Sequence, residues 1–149
     1  MGRGAHPRNT VSEYHSSAVD VAERIGRALL LYWEDQPDEA AHVLIPRLEA
    51  AIREMSRQAG LAIIREPRGR APGGVRPLGD LMSALTGRLE ESWRRYLANL
   101  LVDPVGTNLR NRISHALLHR VTKEQASVLL HAACFLRLLA PGVDTSTDG

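Results

Sequence analysis

Gly106-Thr107-Asn108-Leu109-Arg110-Asn111-Arg112-Ile113-Ser114-His115 runs on into Ala116-Leu117-Leu118-His119-Arg120. A 3.6-residue apolar period reads this stretch as one helix from about Thr107 to Arg120. On that helix Leu109, Ile113, Ala116 and Leu117 form the buried stripe. Asn108, Asn111, His115 and His119 then fall on a neighbouring stripe at spacings of three and four. Arg110 precedes His115 by five positions, about 140° around an ideal helix. Its long side chain must reach around to the imidazole, or the two must meet across a dimer interface. These residue types make a coherent set: arginine grips an anion with a fork of donors, asparagine orients it, and histidine exchanges a proton near neutral pH.

Working outward, helical periodicity covers most of the chain. Tyr14, Ala18, Val21, Ala22, Ile25, Leu29 and Tyr32 make one face, stopped by Glu34-Asp35-Gln36-Pro37. A second helix begins near Asp38 and carries Leu44, Leu48, Ala51, Ile52 and Met55. Pro46 either kinks it or marks its true first turn. Gly60 closes it, and Leu61 to Ile64 has the look of a short extended segment. Residues 65–77, with three prolines, two adjacent glycines and four arginines against Glu66, read as a long loop, either functional or disordered. Leu78, Leu81, Met82 and Leu85 predict a short helix ending near Gly87. Leu89, Trp93, Tyr96, Leu97, Leu100 and Leu101 predict another, ending at Asp103-Pro104. Thr122 and Gln125 form a capping box for a last helix whose apolar face is Ala126, Leu129, Leu130, Ala133 and Leu136. Trp33, Trp93 and Tyr96 sit on these stripes and read as core, and His42 and His131 as surface or core fillers. The expected fold is an all-α bundle of five to six helices. Its expected organisation is a mobile N-terminus over 1–10, one helical domain over 11–140 and a disordered tail over 141–149.

A chain of 149 residues with 44% hydrophobic content can bury one core. The net charge of +2 excludes a polybasic arm, and every basic side chain except Lys123 is arginine. The lone Cys134 forms no internal disulfide and makes a Cys/His zinc site implausible. His115 and His119 resemble half of a metal site but lack an acidic ligand on their face, so neither a metal nor a cofactor is expected. No apolar run approaches the roughly 20 residues needed to span a bilayer. With no signal segment visible before Val11, the expected compartment is the cytoplasm and no membrane partner is expected.

An arginine and a histidine separated by four to six residues is a weak pattern. Arg112–His119 and Arg8–His15 satisfy it as well as Arg110–His115. The wider context is more specific. Asp103 to Asn111, then His115 within a leucine-rich run, resembles the signature of the HEPN (higher eukaryotes and prokaryotes nucleotide-binding) superfamily of all-α domains. Arg110, Asn111 and His115 match its arginine–polar–histidine motif position by position. Ile45-Pro46-Arg47-Leu48-Glu49, with Arg53 and Gly60, and Pro77 to Met82 are similar to one uncharacterised bacterial branch. The resemblance thus covers roughly 40–120, as a compact version of that branch's C-terminal module. In two places the chain departs from the pattern. Ala116 stands where a glycine often follows the histidine, a change a continuing helix accepts. Leu117 stands where toxins silenced by a nucleotidyltransferase partner carry tyrosine.

The resemblance implies a metal-independent endoribonuclease, a toxin or phage-defence effector. In it Arg110, Asn111 and His115 are catalytic, with Asn108, Arg112 and His119 as auxiliaries. It implies RNA as the substrate, a homodimer through the motif helix, and an antitoxin or larger partner protein. The alternative is a catalytically inactive helical module that binds RNA or protein through the same cleft. A helical DNA-binding regulator fits less well, because no recognition-helix pattern precedes the motif and the basic excess is small. Glu49 and Arg53, at i and i+4, read as a helix-face ion pair, with support of the cleft as a lesser option.

Overall fold

Leu44, Leu48 and Ile52 recur at four-residue steps along α2 (Pro37–Gln58) and are almost wholly shielded from solvent. That spacing lays an unbroken apolar ridge along one side of the helix. In the computed structural model, which describes residues 10–70 and 72–139 with the side chains of 20–70 and 72–137, α2 packs against both α1 (Thr10–Trp33) and α6 (Lys123–Leu139). These two helices also touch each other. The remaining helices add to this trio in sequence: α3 (Leu78–Ala84) rests on α2, α4 (Glu91–Leu101) on α3, and α5 (Leu109–Ser114) on α4. Six helices and one two-stranded ribbon, among the described residues, make this the expected all-α bundle.

Helix starts follow the sequence. Thr122 and Gln125 form the reciprocal capping box: the Thr122 amide donates to Gln125 Oε1 at 3.0 Å, and the Gln125 amide to Thr122 Oγ1 at 3.3 Å. The expected face of the last helix, Ala126, Leu129, Leu130, Ala133 and Leu136, is buried throughout. Leu78, Leu81, Met82 and Leu85 are buried as expected. Pro37 occupies the first turn of α2, so the helix continues through Pro46, whose ring faces solvent. Glu90 caps α4 through the amides of Ser92 and Trp93. The ring of Trp93 stacks on Phe135, and the Tyr96 hydroxyl donates to the Val128 carbonyl, so α4 is fixed to α6 by aromatic contact.

Four expectations need correction. The buried side of α1 is rotated from the expected face: Ala28 and Leu31 are buried while Ala22 and Leu29 are exposed, because α2 and α6 both contact this helix. Trp33 is 75% exposed rather than core, since it lies in the last residue of α1. The described parts of residues 65–77 are not loop throughout, since β1 (Ile64–Arg65) runs antiparallel to β2 (Gly74–Val75). The largest difference concerns the motif helix. It ends at Ser114 instead of Arg120, leaving Ala116 and Leu117 exposed and His119 beyond the helix.

The stop after Ser114 has a definite hydrogen-bond chemistry. The Leu117 amide donates to the Arg112 carbonyl at 2.7 Å and the Ala116 amide to the Ile113 carbonyl at 3.1 Å. This is the Schellman pattern, which requires a left-handed residue at the position occupied by Ala116, here with φ +52°. α2 ends in the same way with Gly60 (φ +76°), and α1 with Asp35 (φ +60°). Glycine fits this conformation without penalty, whereas a β-carbon is strained in it. Alanine here is therefore a costly residue in a turn, not an easy substitution in a helix. Ala116→Gly is expected to raise stability by about 1 kcal/mol, the left-handed cost of a β-carbon less the extra chain entropy that glycine loses, read as a higher urea midpoint. An unchanged or lower midpoint would place the helix end elsewhere.

Candidate functional site

The string before α5 works as a clamp on the end of α4. The Asn108 amide donates to the Asn99 carbonyl at 3.0 Å, and the Thr107 hydroxyl to Asn99 Oδ1 at 3.4 Å. Gly106 lies so close that a β-carbon there would come within 2.6 Å of Asn99. Glycine is needed for that approach. Asn108 caps α5 in the left-handed conformation, φ +51°, which asparagine tolerates better than most residues. Its side chain makes no cap hydrogen bond, and its Oδ1 is buried without a partner. Leu109, fully buried, then anchors the helix in the core.

With α5 held this way, Arg110 is directed toward α2. Its Nε donates to Glu49 Oε1 at 2.5 Å and its Nη1 to Asn111 Oδ1 at 2.7 Å. The other Glu49 oxygen accepts from Arg53 Nη2 at 3.0 Å. Glu49 thus lies between two guanidinium groups, itself only 15% exposed against 27% for Arg110 and 29% for Arg53. The lesser option for Glu49 and Arg53 is the one that the contacts favour: the i,i+4 pair exists, and it also braces the motif arginine. Because Asn111 presents its oxygen to Arg110, its amide NH₂ remains available as a donor.

Arg110 and Asn111 face an open cleft of about 370 Å³ between α2, the ribbon, α3 and α4. Arg53 and Arg76 supply the rest of its charge, while Val75, Leu78 and Val102 provide apolar wall. The ribbon places Arg76: its amide donates to the Ile63 carbonyl at 2.8 Å and its Nη1 to the Ala62 carbonyl at 3.2 Å. The tight return is possible because Gly73 carries no side chain; a β-carbon there would meet the Arg65 carbonyl at 2.8 Å. Three guanidinium groups against one carboxylate leave the cleft cationic. Such a site attracts anions, and arginine suits phosphate in particular.

The expected site residues are therefore only partly assembled. Arg110 and Asn111 are hydrogen-bonded to each other in the cleft. His115 follows one turn later as the last capping residue of α5, exposed, with its amide donating to the Asn111 carbonyl at 3.0 Å. Its ring does not line the cleft and forms no hydrogen bond with the side chain of Arg110 or Asn111 among the described residues. Arg112 is half-buried and His119 exposed, and neither joins the cleft. His119 does not share a helical face with His115, because the chain has left the helix by Ala116. Of the two alternative arginine–histidine pairs, Arg8 and the side chain of His15 lie outside the described residues. Arg53 and Arg76 are cleft residues that the motif did not mark. A signal for Arg76 existed in its position just before Pro77-Leu78, but nothing local in the sequence links it to Arg110. Among the described residues, no group of three or more His, Cys, Asp or Glu side chains gathers as a metal site, and no helix is long and apolar enough to cross a membrane.

Comparison with family models, with curated proteins and with solved structures finds no match to this chain.

Burial pushes the Glu49 carboxyl up, but the hydrogen bonds and charges of Arg110 and Arg53 outweigh that and hold it below its ordinary value of 4.5. A carboxylate with a depressed folded-state pKa contributes stability above its unfolded value and loses it as pH falls through the folded one. Glu49→Gln should therefore cost about 1.5–3 kcal/mol at neutral pH, the range for a hydrogen bond to a charged group. The gap to wild type should narrow as pH falls below 4.5. Urea midpoints across this range check it; a gap that stays constant into acid would mean that Glu49 is not held as the anion.

Proposed function

We propose that this chain is a metal-independent endoribonuclease of the HEPN type. The observation that carries the reading is the hydrogen-bonded Arg110–Asn111 pair facing a cleft with two further arginines. In this reading Arg110 and the Asn111 amide hold a phosphate of RNA. The ribose 2′-oxygen attacks the adjacent phosphorus, the bond from phosphorus to the 5′-oxygen breaks, and a 2′,3′-cyclic phosphate forms. One proton leaves the 2′-hydroxyl and one reaches the departing 5′-oxygen. Imidazole suits both transfers, and the fixed positive charge of Arg110 stabilises the charge that grows on the phosphorane. DNA, lacking the 2′-hydroxyl, is spared.

A single His115 does not reach both sides of an in-line displacement, so the reading includes a homodimer that pairs two motif helices. Exposed apolar side chains flank α5 on both sides, Val105 at 96% and Leu117 at 69%, and supply contacts for such pairing. Asn108, Arg112 and His119 retain at most auxiliary roles, since none lines the cleft. A toxin or defence role, and an antitoxin or larger partner, belong to the same proposal.

The second reading is a module that binds RNA without cutting it, and the separation of the His115 ring from the cleft favours it. Incubating the purified protein with RNA in EDTA separates the two. The nuclease reading expects fragments ending in 2′,3′-cyclic phosphate, with rate losses of about 10²–10³-fold in Arg110→Ala and about 10²–10⁴-fold in His115→Ala. The active species should have the mass of a dimer. Intact RNA retained equally by wild type and His115→Ala would assign the binding module.

A further inference from the structure

Arg76 is half-buried and has no ion-pair partner among the described residues. Among the described residues its side chain bonds only to the Ala62 carbonyl and forms no salt bridge. Glu66, the one acid among residues 65–77, makes no ion pair with it or with Arg65, Arg68 or Arg70, so this part of the surface carries a local surplus of positive charge. Withdrawing a guanidinium from water without a partner is unfavourable. Across the cleft Arg53 gives one amino group to Glu49, while its Nε is buried with no hydrogen-bond partner. Arg110 is more fully engaged, by Glu49 and Asn111. The cleft therefore holds two uneven cationic centres, the Arg53–Arg110 pair braced by Glu49 and, apart from it, Arg76.

We infer that the cleft binds a single nucleotide unit by two phosphates, with Arg76 taking the phosphate adjacent to the one held by Arg110. This rests on the proposed reading for the Arg110 phosphate and adds the neighbouring group. The volume of about 370 Å³ lies near the low end of small-molecule sites, roughly 300–1,000 Å³, and suits one nucleoside rather than a long strand. Val75, Leu78 and Val102 offer an aliphatic wall for the sugar and base. Among the described residues no aromatic side chain lines the cleft, so they supply none of the stacking that reads bases in many RNA-binding proteins. Recognition at this position depends on phosphate spacing and is indifferent to the base.

The test needs no cleavage. A 2′-deoxynucleoside 3′,5′-bisphosphate carries two phosphates one nucleoside apart and cannot cyclise. Calorimetric titration at low salt should show it binding about tenfold tighter than the 3′-monophosphate, the effect of roughly one charge-assisted contact. Arg76→Ala should remove that advantage, leaving the bisphosphate bound no tighter than the monophosphate, and reduce the salt slope by about one. Arg76→Lys should recover part of it, since the charge returns without the fork. If the alanine variant fails to fold, Arg76→Gln serves in its place. The same bisphosphate affinity in wild type and variant, or inorganic phosphate binding as tightly as the bisphosphate, would overturn the inference. Bisphosphate binding that depends on Arg76 in a protein that leaves RNA intact would uphold it while refuting the nuclease reading.

Discussion

Two arginines sharing one carboxylate is the constraint on which the rest of the site depends. Glu49 belongs to α2, the helix that also carries Leu48 and Ile52 into the core. Arg110 belongs to a helix of six residues that is too short to persist alone. The ion pair at 2.5 Å therefore couples a rigid element to a weak one. It also fixes a side chain with many rotamers in a single direction, toward the cleft. Losing Glu49 would leave two partly buried guanidinium groups close together, with no anion to offset their repulsion.

The clamp at Asn99 complements that pair. Gly106, Thr107 and Asn108 bind the end of α4 mostly through backbone groups and small side chains, and Leu109 seals the contact beneath. At the other end the Schellman turn at Ala116 stops the helix and turns His115 outward. α5 is thus a short platform with its polar residues presented at fixed heights. Two adjacent residues face the cleft, and the histidine is exposed at the helix end without lining it. This division explains why a second chain enters the proposed mechanism: the His115 ring does not line the cleft that Arg110 and Asn111 face.

Much of the fold was legible because periodicity and capping are local. The face Ala126, Leu129, Leu130, Ala133 and Leu136 and the Thr122–Gln125 box needed only neighbouring residues to be read. The end of the motif helix was not legible in the same way. Leu117 and Leu118 continue the apolar period beyond Ser114, and alanine gives no sign of a left-handed turn, as glycine does at Gly60. Arg110 and Asn111 were readable from the motif, whereas their surroundings were not. Glu49 lies 61 positions before Arg110, and Arg76 reaches the cleft only because a ribbon folds back over a segment rich in proline and glycine. Such pairings come from tertiary geometry, which no local pattern encodes.

The bracing of Arg110 by Glu49 is measured most directly by a double-mutant cycle in urea with Glu49→Gln, Arg110→Gln and the double variant. The pair predicts a coupling free energy of about 1–3 kcal/mol at neutral pH, within the range for contacting residues. It should be much smaller in acid, where the carboxylate is protonated. Effects that add to within about 0.3–0.5 kcal/mol, as for independent sites, would contradict the account.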